Sequence, residues 1–360
     1  MSWLLWCISI AILIELVVQY CIMRAAFPVL FSPMPDRFNL TGTLEQLPDK
    51  DETIRIEYLA FPTSNGLTLH GFIAMPENCA PRGLILFCHP FKSTGEIALF
   101  QCRGLLNAGF AVFSFDFQNH GESDNDPAYK SIHWLSNHEI QDVEAALQYI
   151  QNQSEWAHLP VGLLGMSRGA GAALAVAARA SNIQFVACEG AFVNEELFLD
   201  HSIRWGARFL PPMFIQLVPT WEVIRAFRIM IWFSQRSQGC HYVNLKPLLK
   251  SLKKKNLLFI VGENDRSVIP QMTDLITKEI RTPRTRVCSI PQAIHNSGRF
   301  TQPQQYDAAL IDFFSQMSPS GSPQRETISP HQFTDTPESE LIAGESFGPH
   351  PCSKFKEHFA

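Results

Sequence analysis

Ser167 stands between two glycines in "GMSRG", directly after the apolar run "VGLL" and before the small-residue stretch "AGAALAVAARA". A serine hydroxyl is a weak nucleophile at neutral pH, so it needs a base within hydrogen-bond reach and a third group that fixes the tautomer of that base. The chain supplies one of each farther on. Asp265 lies in "GENDRSVIP" and His295 in "AIHNSGRF", both just past apolar runs that read as strands. Glu263, two residues before Asp265, is the alternative acid, since either acid type serves. With such partners Ser167 attacks an ester, thioester or amide carbonyl, and water then releases the acyl group. The competing reading, a small residue in a tight turn, is weakened by position. Glycine on either side lets a strand and a helix pack so closely that the serine is held outward in a strained turn.

The elements that position these residues follow from hydrophobic pattern. Residues Thr53 to Phe61 and Leu67 to Met75 alternate and are joined around Asn65-Gly66, which predicts an antiparallel hairpin. Gly83 to Cys88, Phe110 to Asp116, Pro160 to Gly165, Ile183 to Gly190, Asn256 to Gly262 and Thr285 to Ile290 are near-continuous apolar runs. Such runs are expected of strands covered on both faces. Helical stretches separate most of them; in "HEIQDVEAALQYI", Ile140, Val143, Leu147 and Ile150 form one apolar stripe. Strand and helix in alternation predict an α/β fold, a mostly parallel doubly wound sheet with ligand sites at the carboxyl ends of its strands. Residues 191–250 break the alternation and read as a helical cap insertion.

Residues Thr53 to Met317 resemble an α/β-hydrolase of the serine aminopeptidase and esterase type. "GMSRG" matches its nucleophile elbow, "GENDRSVIP" its acid turn and "AIHNSGRF" its histidine loop, in the order Ser, Asp, His used by that fold. "LFCHPFKSTG" resembles the family's oxyanion loop, with Pro90 where a glycine is usual. Proline has no N–H to give. The resemblance therefore assigns the oxyanion donors to the backbone N–H groups of Phe91 and Arg168. "FSFDFQNHGESD" resembles the family's D-x-R-x-x-G-x-S turn, with Gln118 where arginine is common, and is expected to support the oxyanion loop. His89 and His120 are expected to orient these loops by hydrogen bonding and not to act as bases. The resemblance implies no metal and no cofactor.

Composition narrows the partners. The chain of 360 residues is 46% hydrophobic and 18% charged with a formal net charge of -5, which gives no basic face for a nucleic acid. Nine cysteines show no CxxC pair and no zinc-ligand spacing. Residues 1–26 read as an uncleaved transmembrane anchor, almost wholly apolar from Trp3 to Met23 apart from Glu15 and Gln19. Residues 27–52 read as a proline-punctuated linker, 53–317 as the hydrolase domain and 318–360 as a disordered tail. The first basic residues, Arg24 and Arg37, follow the span, which places the catalytic domain in the cytoplasm of a single-pass membrane protein. In the insertion, Trp221, Phe227 and Trp232 with Arg225 and Arg228 suit an interfacial helix, and hence a lipid or long-acyl ester substrate. Alternatives are an aminopeptidase or acyltransferase on the same fold, or a membrane-anchored scaffold without turnover.

Overall fold

The computed structural model describes residues 2–31, 53–209 and 219–317. The expected tail, most of the expected linker and residues 210–218 of the insertion lie outside the described residues. The chain divides into two compact units. Among the described residues, one joins residues 31, 53–197 and 231–317; the other joins residues 2–30, 198–209 and 219–230.

The larger unit is built on one eight-stranded sheet of order β1-β2-β4-β3-β5-β6-β7-β8. The strands are β1 (Ile54–Pro62), β2 (Thr68–Pro76), β3 (Leu84–Cys88), β4 (Ala111–Phe115), β5 (Val161–Met166), β6 (Phe185–Glu189), β7 (Asn256–Gly262) and β8 (Thr285–Ile290). β1 and β2 form the expected antiparallel hairpin, in register from Ile54 opposite Pro76 to Pro62 opposite Thr68. β2 runs antiparallel to β4, and every later pairing is parallel.

Side-chain alternation explains why the central strands read as continuous apolar runs. Ile85 and Phe87 of β3, Leu164 and Met166 of β5 and Ile260 of β7 join Leu105, Leu106, Tyr306 and Phe313 in one core on one face. The intervening Leu84, Leu86 and Leu163 are as fully buried. Helix 168–177 packs on β5 and β6, and helix 137–152 packs on that helix. Each large apolar side chain removed from water in this way contributes about 1.5–3 kcal/mol. The expected stripe Ile140, Val143, Leu147 and Ile150 is buried along helix 137–152.

β8 departs from the expectation of cover on both faces. Arg286, Val287 and Ser289 are exposed. β8 is the last strand of the sheet, with a neighbour on one side only, and helix 303–314 packs against it. Four branched or apolar residues in six do not distinguish such an edge from a core strand.

From β3 the chain crosses to β4 on one side, and β5 then lies on the other side of β3. The two connections leave the carboxyl ends of β3 and β5 in opposite directions and open a crevice there, the place where open α/β sheets hold ligands.

In the smaller unit, helix Ser2–Phe31 continues five residues past the expected anchor boundary. Its stretch Trp3–Tyr20 has a mean hydropathy of 1.9 and is long and apolar enough to cross a membrane. Its two polar interruptions are partnered within the same unit: Glu15 pairs with Arg225, and Gln19 donates to Glu222. Phe198 and Phe227 stack there with ring centroids 3.9 Å apart.

Candidate active site

β5 ends at Met166, helix 168–177 begins at Arg168, and Ser167 forms the whole turn between them at φ 52° and ψ −117°. A non-glycine residue in that region is strained. Close packing holds it there. A Cβ on Gly165 would lie 2.4 Å from the carbonyl oxygen of Gly169, and one on Gly169 would lie 2.3 Å from that of Cys88. The Ser167 N–H donates to the Glu189 carbonyl at 2.7 Å, which ties the turn to the end of β6.

The two other candidate residues reach the same point. Asp265 follows β7 and is 5% exposed; its Oδ1 accepts the N–H groups of Ser267 and Val268, both at 2.8 Å. Its Oδ2 accepts from His295 Nδ1 at 2.7 Å, and His295 Nε2 lies 2.9 Å from Ser167 Oγ. This assigns the proton to Nδ1 and leaves the Nε2 lone pair facing the hydroxyl. Glu263 is exposed and takes no part in this chain of bonds.

Arg168 and Phe91, the candidate oxyanion donors, are neighbours in space. The Arg168 guanidinium lies 4.9 Å from the centre of the Phe91 ring. Arg168 opens its helix, where the first N–H groups have no intrahelical acceptor. Its side chain is fully buried. It donates to the Ile132 carbonyl at 2.7 Å and to His120 Nε2 at 3.0 Å, and it pairs with Glu139 at 3.3 Å. Glu139 also closes the capping box of helix 137–152 by accepting from the Ser136 N–H and hydroxyl, and it accepts the Tyr129 hydroxyl at 2.6 Å.

The loops around the donors are joined by polar side chains. His89 Nδ1 donates to the Pro90 carbonyl and its Nε2 accepts the Phe117 N–H at 3.0 Å, a bridge between the loops after β3 and β4. Burial lowers His89 to about 3, so it is neutral, as this bonding requires. Burial and the Arg168 charge hold His120 well below its ordinary range as well. Asp116 accepts the N–H groups of Gly95 at 2.6 Å and Glu122 at 2.9 Å. Gln118 donates its backbone N–H and its amide to Asp142, whose carboxyl burial pushes up; a neutral glutamine suits a carboxyl that resists ionisation.

The Arg168 side chain and Glu139 were not singled out by sequence. The available signal was Ser136 and Glu139 in "SNHE", the spacing of a capping box, which marks the helix start but not the distant arginine. A surface cavity of about 610 Å³, lined by Arg179, Lys254 and Arg284, lies at the amino ends of β7 and β8, away from these residues.

Comparison with known proteins agrees with this architecture. The model of a family described as "Serine aminopeptidase, S33" matches residues 79–244, a stretch that contains Phe91, Ser167 and Arg168 but ends before Asp265 and His295. An esterase of Pyrococcus furiosus superimposes with a TM-score of 0.56 at 19% identity, over 75% of this chain and 94% of that one. A cold-adapted esterase from an Arctic intertidal metagenomic library gives 0.51 at 15% identity, over 74% and 96%. A Mycobacterium tuberculosis protein named "Putative phosphoribosyl transferase" is 33% identical over 133 residues, and the match spans 36% of this chain but only 27% of that relative. The chain has the α/β-hydrolase fold.

Two variants test the packing at the turn. Gly169→Ala is expected to destabilise the protein by about 2 kcal/mol or more, because its Cβ meets backbone that cannot move aside; urea unfolding measures it. Arg168→Met leaves Glu139 buried without its counterion and is expected to cost about 3–5 kcal/mol by the same measurement.

Proposed function

We propose that the protein is a serine hydrolase that cleaves carboxylic esters through an acyl-enzyme on Ser167. The observation that carries this reading is the unbroken chain Ser167 Oγ, His295 Nε2 and Nδ1, Asp265 Oδ2, with links of 2.9 and 2.7 Å. As Oγ bonds to the carbonyl carbon, His295 Nε2 takes its proton, and Asp265 stabilises the imidazolium that forms. The electron pair of the C=O bond moves onto oxygen, where the N–H groups of Phe91 and Arg168 receive it. Collapse expels the alcohol, which leaves with the proton from Nε2. Water then attacks the acyl-enzyme with His295 again as base, and the acid is released.

Two helices support a substrate drawn from a membrane. Helix Ser2–Phe31 acts in this reading as a single-pass anchor, with Arg24 after the span setting a cytoplasmic orientation. Helix Thr220–Gln238 presents exposed aromatics, Trp221 at 59% and Trp232 at 47%. Arg225 lies 5.3 Å from the Trp221 ring and Arg236 4.4 Å from the Trp232 ring, the pairing of cation and indole suited to a headgroup layer. Long-acyl or lipid esters are therefore the proposed substrates, in preference to peptides.

Wild-type protein should react with a fluorophosphonate probe and Ser167→Ala should not; labelling that is absent, or that survives the substitution, overturns the serine mechanism. His295→Ala is expected to lower esterase turnover about a million-fold and Asp265→Asn about ten-thousand-fold with the fold intact. Anionic vesicles should accelerate hydrolysis of long-acyl esters by wild-type protein and do so less for Trp221→Ala/Trp232→Ala. A preference for short esters that vesicles leave unchanged removes the membrane substrate.

A further inference from the structure

Glu189, the last residue of β6, is a buried acid that the proposed reaction does not use. It is 3% exposed. Its two carboxyl oxygens are both engaged: Oε1 accepts the Gly298 N–H at 2.8 Å and Oε2 accepts the Tyr306 hydroxyl at 3.0 Å. Gly298 starts the short helix that follows the loop carrying His295, and Tyr306 lies on the last helix of the sheet's cover. The backbone carbonyl of the same residue accepts the Ser167 N–H. One residue thus bonds the nucleophile's turn through its backbone and the histidine loop through its side chain.

Contact with the base is close at this point. A Cβ on the next residue, Gly190, would lie 2.9 Å from His295 Cε1 and 3.2 Å from its Nδ1. The imidazole therefore packs directly over the Glu189-Gly190 backbone.

We infer that Glu189 is a positioning residue for the base, its carboxylate pinning the histidine loop to the strand end that also pins Ser167. The inference rests on the serine-hydrolase reading for its kinetic consequences, while the loop attachment itself is independent of it. Removing the carboxylate lets His295 drift from Ser167 Oγ, and an error of that kind in a reacting pair lowers the rate without weakening substrate binding.

The same residue adds a pH dependence. Burial pushes Glu189 up to about 7; the bonds from Gly298 and Tyr306 and the nearby His295 oppose the rise, and Asp265 reinforces it. The ionisable groups facing it are His295 and Asp265 from the loops after β8 and β7, and Tyr306 from the last helix. As pH falls through 7 the carboxylate takes up a proton, and both a strong acceptor and a negative charge facing His295 are lost.

The test uses the full chain and two variants. Glu189→Gln keeps an acceptor for the Gly298 N–H but cannot ionise; Glu189→Leu removes both acceptors. The fluorophosphonate labelling rate is followed from pH 5 to 9, and amide hydrogen exchange is followed in residues 291–299. For wild type the protection of the 291–299 amides should fall as pH is lowered through 7. Glu189→Gln, which holds the group neutral throughout, should show that lower protection at every pH and lose less of the plateau rate than Glu189→Leu. Glu189→Leu should lose about 100-fold in plateau rate with KM changed little, and its 291–299 amides should exchange faster. If Glu189→Leu does not fold, Tyr306→Phe, which removes one of the two bonds, should raise exchange in the same segment. Glu189→Leu or Tyr306→Phe with wild-type exchange there, or Glu189→Gln with the wild-type pH dependence of exchange, overturns the inference. A wild type that Ser167→Ala leaves equally labelled sinks the serine mechanism instead, and the exchange measurement still decides the attachment.

Discussion

A single backbone conformation governs the rest of the site. Ser167 sits where a side chain is unwelcome, at φ 52° and ψ −117°, and such strain costs of order 1–3 kcal/mol. It persists because the elements on either side are over-determined. All ten residues of helix 168–177 are buried, and β5 is clamped between β3 and β6 in parallel register. Gly165 and Gly169 let the helix start lie against both β5 and the end of β3. The hydroxyl is thereby held above the carboxyl edge of the sheet, 2.9 Å from His295 Nε2.

Around that turn the protein buries several charges, and most of them are paired in ways that serve geometry more than stability. Arg168 and Glu139 take each other out of water, an arrangement that rarely gains free energy over an apolar pair. It does join the start of helix 137–152, the loop at Ser131 and Ile132 and the ring of Phe91 to the residue after Ser167. Asp116 does the same for the loops after β3 and β4, with two backbone N–H groups as partners. His89 and His120 are held neutral by burial, and His295 has a carboxylate on one nitrogen and a hydroxyl on the other.

Most of the sheet was legible because buried parallel strands need apolar side chains on both faces, and six runs of that kind stand out against polar surroundings. Ser167, Asp265 and His295 could be singled out for a related reason: each comes immediately after such a run, and the carboxyl ends of parallel strands lie on one edge. What could not be read depends on distance through space. Glu263 and Asp265 differ by two residues in one turn, and only the fold shows which of them faces His295. Arg168 and Glu139 are paired across 29 positions of sequence, and neither residue type announces the other. Glu189 reads as the polar end of a strand, although an acid in "ACEG" after a buried run was the available hint. β8 looks apolar enough for the core, and its exposure follows only from its place at the end of the strand order.

The central claim is that Ser167 carries the acyl group during turnover. It is tested most directly by mixing the protein with a p-nitrophenyl ester, quenching in acid within the first turnover and locating the added mass by peptide mass spectrometry. The acyl mass is expected on the peptide that contains Ser167, formed at the rate of the first release of p-nitrophenol. First-turnover release without any acylated peptide, or with the acyl group on another residue, would contradict it.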